Sequence, residues 1–268
     1  IYNNRIDHPA EMASFLFSLK DNSATKNLAA SSIDFDKILQ NDSRFKIVFI
    51  IFYSAIIYHV AQIVKAKGLP TPRQIAFSGN GSKIIKILSS DTRILSNYTK
   101  IIFETVLGKG YETDLDLLGL GQDENPKEVT CKGGLIPVED NVKQPEKLVM
   151  KDSAGHFVGT SDTYSSLDAS EKKEIVHSVE EFFNFMFEKM PRKYKFDDNF
   201  GVENVTFTLA KDVCKKDLDT FLDKGITLSV TESGNPNNQI EDILSLYPIK
   251  GVMQALSTKI SEYFSKNK

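Results

Sequence analysis

The amino-acid sequence predicts a mixed chain, α/β to α+β, with a largely helical C-terminal region. Three observations carry that reading. In "RQIAFSGNGSKIIKILSS" (residues 73–90) a short β-like run breaks into small residues and then a helical pattern. A second short apolar run follows in "TDLDLLGL", and apolar stripes of helical period recur beyond residue 170. With 268 residues, 41% hydrophobic and 26% charged, the chain has enough apolar material for one large or two small domains. Its 36 acidic and 33 basic side chains leave a net charge of -3, which speaks against the broad electrostatic footprint of a nucleic-acid or anionic-membrane binder. Cys131 and Cys214 stand far apart with no CxxC or Cys/His spacing. Neither a disulfide framework nor a zinc site is expected, and a reducing cytoplasm is the expected compartment.

The chain opens on Ile1, without methionine or the basic-then-apolar pattern of a signal peptide, and reads as a piece of something longer. Residues 1–44 are read as a helical N-terminal segment. The run "IVFIIFYSAIIYHVAQIV" at 47–64 is interrupted by Ser54, Tyr58, His59 and Gln62, and charges crowd both ends. It predicts a buried core helix over 46–67 rather than a membrane span. Ser43 is placed to cap its start, and Gly68 followed by Pro70 to end it. Residues 74–77 form the predicted strand, Ser78 to Ser82 the turn, and Ile84, Ile85 and Leu88 the apolar side of the next helix. Residues 91–108 suit a helix with Ile94, Leu95, Ile101, Ile102 and Val106 inward. Residues 115–118 then read as a second strand, buried beside the first in one sheet, and run into the polar turn "GQDENP". Asn125 and Pro126 suit the cap and first turn of a further helix.

Residues 137–145, "PVEDNVKQP", have the composition of a linker. Beyond it "KLVMKDSAGHFVG" predicts a hairpin turning at 153–155. Residues 170–190 place Ile175, Val179, Phe182, Phe183, Met186 and Met190 on one stripe, and 213–222 and 249–264 show similar periodicity. These stripes read as core. His8, His59, His156 and His177 are scattered, and no Ser, Cys or carboxylate pair has a nucleophile or acid/base spacing. His59 is expected as a hydrogen-bonded core histidine. Glu180, Glu181, Asp197 and Asp198 read as solvated charges.

The turn after the first strand is the one candidate site. It puts backbone N–H groups at a helix start, where anions and ribose hydroxyls bind, and its glycines let a ligand approach the main chain closely. It has neither the GxxxxGK[ST] spacing nor the third glycine of GxGxxG. Yet "IAFSGNGSKIIKIL", then "LDLLGL", then "NPKEVTCKGGL", resembles in order the adenosine-side half of the actin, heat-shock chaperone and sugar-kinase ATPase superfamily. Gly79, Asn80, Gly81 and Ser82 match that superfamily's nucleoside-wrapping turn, and Pro126, Gly133 and Gly134 match its later "P..A...GA" element. The likeness covers roughly residues 45–135.

This resemblance implies a partial actin-like, ribonuclease H-like ATPase lobe over residues 45–136, with residues 146–268 as a hairpin plus helical extension that has no counterpart there. It also implies that Ser78, Gly79, Asn80, Gly81, Ser82, Lys83 and Ile84 contact ATP or ADP, with magnesium in the intact parent protein. Lys83 or Ile84 would lie near the base, where relatives often carry a stacking arginine. The superfamily's two Asp/Gly phosphate loops have no match, and "DSAGHFVGTSD" at 152–162 lacks their spacing and follows the turn instead of preceding it. The implied identity is the C-terminal portion of a larger actin-like or chaperone-like ATPase, whose partner is the missing N-terminal lobe. Alone it is not expected to hydrolyse ATP. The alternative is a degenerate actin-like scaffold for protein contacts that binds no nucleotide.

Overall fold

The apolar run at 47–64 folds as helix α1 (Ser43–Ala66) in the computed structural model of the chain, which describes residues 40–78, 80–112, 114–119, 150–151, 157–158, 167–202 and 204–233. The chain divides into two units, Ile1–Asp42 and Ser43–Lys268. Only residues 40–42 of the first are described, and the architecture below belongs to the second. Along α1, Ile47, Ile50, Ser54, Ile57, Ala61 and Val64 recur at intervals of three and four and are buried, as one face of a helix requires. The helix ends where the sequence predicts. Gly68 takes φ +59, its N–H donates to Lys65 C=O, and Leu69 N–H reaches back to Val64 C=O at 2.9 Å. That pair of bonds closes a helix through a left-handed residue, which glycine adopts without a Cβ penalty.

By length and composition α1 is able to cross a membrane, but half of its most apolar window is buried inside the protein. It is a core helix, and its main partner is α2 (Thr92–Leu107). Asp91 caps α2 by accepting from the Arg93 N–H at 2.9 Å, and hydrogen bonding to Arg93 holds the Asp91 carboxyl below the usual carboxylate range. The Gly108 N–H closes the far end on Glu104 C=O. Leu95, Tyr98, Thr99, Ile102, Phe103 and Val106 form the buried face. Ile94 and Ile101, expected inward, are only half-buried at its margins.

Two hydroxyl pairs cross this helix interface. Thr99 Oγ1 donates to Leu95 C=O at 2.7 Å, so its single proton is committed and the Tyr53 hydroxyl donates to it, at 2.5 Å. By the same logic Ser54 Oγ donates to Ile50 C=O and accepts from the Tyr98 hydroxyl, both at 2.5 Å. Burial pushes both tyrosine hydroxyls well above their ordinary pKa. All four groups are therefore neutral donors and acceptors rather than charges.

Strands β1 (Gln74–Ala76) and β2 (Asp116–Leu118) pair in parallel, in the register Gln74 with Asp116, Ile75 with Leu117 and Ala76 with Leu118. Both segments expected as neighbouring strands are so. They are not buried on both faces, however. Ile75 and Leu117 pack into the α1–α2 core while Gln74, Ala76, Asp116 and Leu118 are exposed. The period-two alternation of a pleated strand decides this, and it outranks the short apolar run. A 3-10 helix (Asn80–Ile87) and α2 carry the chain from β1 to β2. The segment after the turn was expected as a helix with Ile84, Ile85 and Leu88 inward. It is wound more tightly, with Leu88 N–H on Ile85 C=O at 3.0 Å; Leu88 is buried as expected, Ile87 is buried too, and Ile85 is half-buried.

Further on, β3 (Met150–Lys151) and β4 (Phe157–Val158) form the antiparallel pair of the predicted hairpin, while its turn lies outside the described residues. Helix α3 (Ala169–Asn184) starts with a capping box in which Asp168 accepts from Ser170 and Glu171, and the Glu171 carboxylate accepts from Asp168 N–H. It widens into a π-turn (Phe185–Lys189) and resumes as α4 (Met190–Lys193). The widening lies just before Pro191, which has no N–H to donate and whose ring crowds the carbonyl four residues back. Helix α5 (Phe196–Phe200) is tied to α1 by Lys46 Nζ, which donates to Phe200 C=O at 2.7 Å.

The 213–222 periodicity is not one helix. Helix α6 (Asn204–Cys214) stops and α7 (Leu218–Ser233) begins after Asp217, whose φ is +56. The polar run of Lys215, Lys216 and Asp217 gives no buried face to continue the helix, and aspartate tolerates the left-handed conformation. Tyr98 meets the rings of Tyr194, Phe196 and Phe200 at 5.0, 5.7 and 5.1 Å, so one hydrophobic cluster joins α1 and α2 to residues 179–218. The expected linker at 137–145, the helix at Pro126 and the stripe at 249–264 lie outside the described residues.

His59 departs from expectation. It is half-buried on α1, and its Nε2 is enclosed with no hydrogen-bond partner. Gln62, its polar neighbour one turn on, bonds Tyr58 instead. Burial lowers the imidazole pKa, so the unfolded chain takes up the proton first as pH falls. The stability that neutral His59 contributes is thus present above its unfolded pKa near 6.5 and is lost below it. Denaturant melts of wild type and His59→Leu between pH 7.5 and 5 are expected to show wild type losing ground, by at most about 1.4 kcal/mol per pH unit. A constant difference would contradict this.

A second expectation concerns the hydroxyl pairs. Thr99→Val strands the buried Tyr53 hydroxyl and is expected to cost about 1–3 kcal/mol, whereas adding Tyr53→Phe recovers part of that loss. Strictly additive costs in the double-mutant cycle would show that the pair is not coupled.

Candidate functional site

In a parallel pair both strands point the same way, so the segments leaving β1 and β2 emerge at one edge. Phe77 and Ser78 follow β1 there, and Gly119 follows β2. The crevice outside the carboxyl ends of parallel strands is where open α/β sheets take ligands. The sequence-predicted turn therefore lies at the edge that the topology favours for binding.

Of the seven candidate residues, Ser78 is exposed at the mouth of the turn, and Ser82 is 9% exposed in the first turn of the 3-10 helix. Asn80, Gly81, Lys83 and Ile84 belong to that helix by backbone, while Gly79 lies outside the described residues. The start of such a helix leaves N–H groups without intrahelical acceptors, and here they fall among the turn's small residues. The turn offers main-chain donors at a helix start. That set suits ribose hydroxyls or a phosphate oxygen. The segment at 152–162 that carries the other Asp and Gly residues has only residues 157–158 described, as β4.

The base of the turn is held from three sides, and sequence reasoning missed this. Phe77 N–H donates to Leu118 C=O at 2.9 Å. The Phe77 ring lies against Tyr53 of α1, with centroids 6.3 Å apart and planes 26° from parallel. Its carbonyl faces Gly119, where a Cβ would come within 2.1 Å of the oxygen. The sequence carries a signal for the last contact, a glycine directly after a strand, which marks a close backbone approach. Nothing in the periodicity of α1 singles out Tyr53 from the other buried residues.

Elsewhere, His177 stands 3.7 Å from Glu180 and 3.9 Å from Glu181, all three at the surface, and Asp197 and Asp198 are exposed in α5. These are the solvated charges the sequence predicts. Cys214 is a buried free thiol whose pKa burial pushes up, which makes it inert. Among the described residues no three His, Cys, Asp or Glu side chains converge as a metal site. Compared with protein-family models, curated proteins and solved structures, the chain matches none.

Proposed function

We propose that the chain is the nucleotide-binding portion of a larger actin-like or chaperone-like ATPase of the cytoplasm. The observation that carries this reading is the parallel neighbourhood of β1 and β2, with the SGNGSK turn leaving the carboxyl edge of that pair. Two further features fit it. The turn winds directly into a helix, so its first N–H groups lack helical acceptors, and the strand pair rests on the α1–α2 core that fixes where those groups point.

On this reading the main chain of residues 78–84 binds the nucleoside or α-phosphate of ATP or ADP. Gly79 and Gly81 allow close approach, and Ser82 offers a hydroxyl or N–H as the helix begins. Lys83 or Ile84 lies beside the base, in place of the stacking arginine that the superfamily resemblance implies. Closure of this lobe on a second one around the nucleotide is the output, as in other two-lobed ATPases. Magnesium and the γ-phosphate would be held by the superfamily's Asp/Gly loops, which have no match here, so this chain's own residues bind and orient without hydrolysing.

A bulky side chain in the turn tests the reading. Gly81→Val is expected to lower the affinity for magnesium-ATP about tenfold or more, with a melting temperature close to that of wild type. Equal affinities would show that the turn is not the binding site, and no binding by either protein would favour the alternative, a scaffold that binds no nucleotide.

A further inference from the structure

We infer that Gly119 and Tyr53 are positioning residues of the turn and act on it through Phe77. Phe77 is the last residue before Ser78, so any shift of its backbone passes directly into the turn. Its N–H is fixed by Leu118 C=O at 2.9 Å. Its carbonyl packs against Gly119, which has φ +82 and space only for hydrogen: an added Cβ meets the oxygen at 2.1 Å and the carbonyl carbon at 3.2 Å. Both atoms are backbone, so neither yields by a side-chain rotation. The ring of Phe77 stacks on Tyr53, and Tyr53 is itself fixed, 3% exposed, with its hydroxyl on Thr99 of α2.

Three elements thus converge on one residue: α1 through Tyr53, β2 through Leu118, and the segment after β2 through Gly119. For strand pairing alone the Leu118 bond is sufficient. The other two contacts act on the ring and on the carbonyl, and they set the direction in which the chain leaves β1. This inference rests on the reading of residues 78–84 as the binding turn only for its functional consequence. The mechanical part stands on the geometry.

Wild type, Gly119→Ala, Tyr53→Leu and Tyr53→Phe, each as the 268-residue chain, are compared in two measurements. The first is amide hydrogen exchange without nucleotide. Exchange at the hydrogen-bonded amides, Phe77 and the helical ones from residue 83 to Leu88, is expected to rise about tenfold more than that of α2 in Gly119→Ala and Tyr53→Leu, and only as much as that of α2 in Tyr53→Phe, which keeps the ring. Unchanged exchange at those amides in both disruptive variants overturns the inference, and so does an equal rise across α2, which reports only lost stability. Should Gly119→Ala fail to fold, the contrast between Tyr53→Leu and Tyr53→Phe decides.

The second measurement is affinity for magnesium-ATP. A fall of about tenfold in the same two variants, with Tyr53→Phe unaffected, supports positioning of a nucleotide turn. A local rise in exchange with no ATP binding by wild type supports the positioning and rejects the nucleotide reading, so the two failures are distinguishable.

Discussion

The packing of α1 against α2 sets the positions of both strands, because α1 runs into β1 through Gly68 and α2 carries the chain from β1 to β2. Burial drives that packing. Each aliphatic side chain taken fully from water contributes roughly 1.5–3 kcal/mol, and the pair buries Ile47, Ile50, Ile51, Ile57, Leu95 and Ile102 to 1% exposure or less. Apolar contacts of this kind tolerate sliding along the helix. The Tyr53–Thr99 and Ser54–Tyr98 pairs do not, since a slip of one turn would bury unpartnered hydroxyls at about 1–3 kcal/mol each. The aliphatic residues supply the drive, and the hydroxyls fix the register.

The small sheet follows from that register. A two-stranded sheet is marginal in water by itself, and each strand here has three residues. It persists because Ile75, Phe77 and Leu117 pack into the helix core, so its geometry is inherited from the helices. The aromatic cluster around Tyr98 extends the same core to Tyr194, Phe196 and Phe200. A turn of small residues mounted on such a base has little freedom at its root.

Much of this was legible in the sequence where one residue type answers one local requirement. Gly68 marked a helix end because left-handed closure favours glycine, and residues 91–108 read as a helix from their apolar spacing; the structure adds the Asp91 cap and the Gly108 closure. The two strands were legible as short apolar runs bounded by turns. The 3-10 winding of 80–87 was not, since the spacing of Ile84, Ile85 and Leu88 fits an α-helix as well. The break at Asp217 was hidden because apolar spacing carries across it even though the backbone turns there. The candidate turn itself was legible from its glycines and its place after a strand. The clamp on Phe77 was not, because it joins Tyr53, Leu118 and Gly119 across three separate elements.

Backbone amide chemical shifts of the full chain, titrated with magnesium-ATP, test the central claim most directly. The account predicts saturable shifts centred on the amides of residues 78–84, with α3 and α7 essentially unmoved. No saturable shift there, or shifts centred on α3 to α7 instead, would contradict it.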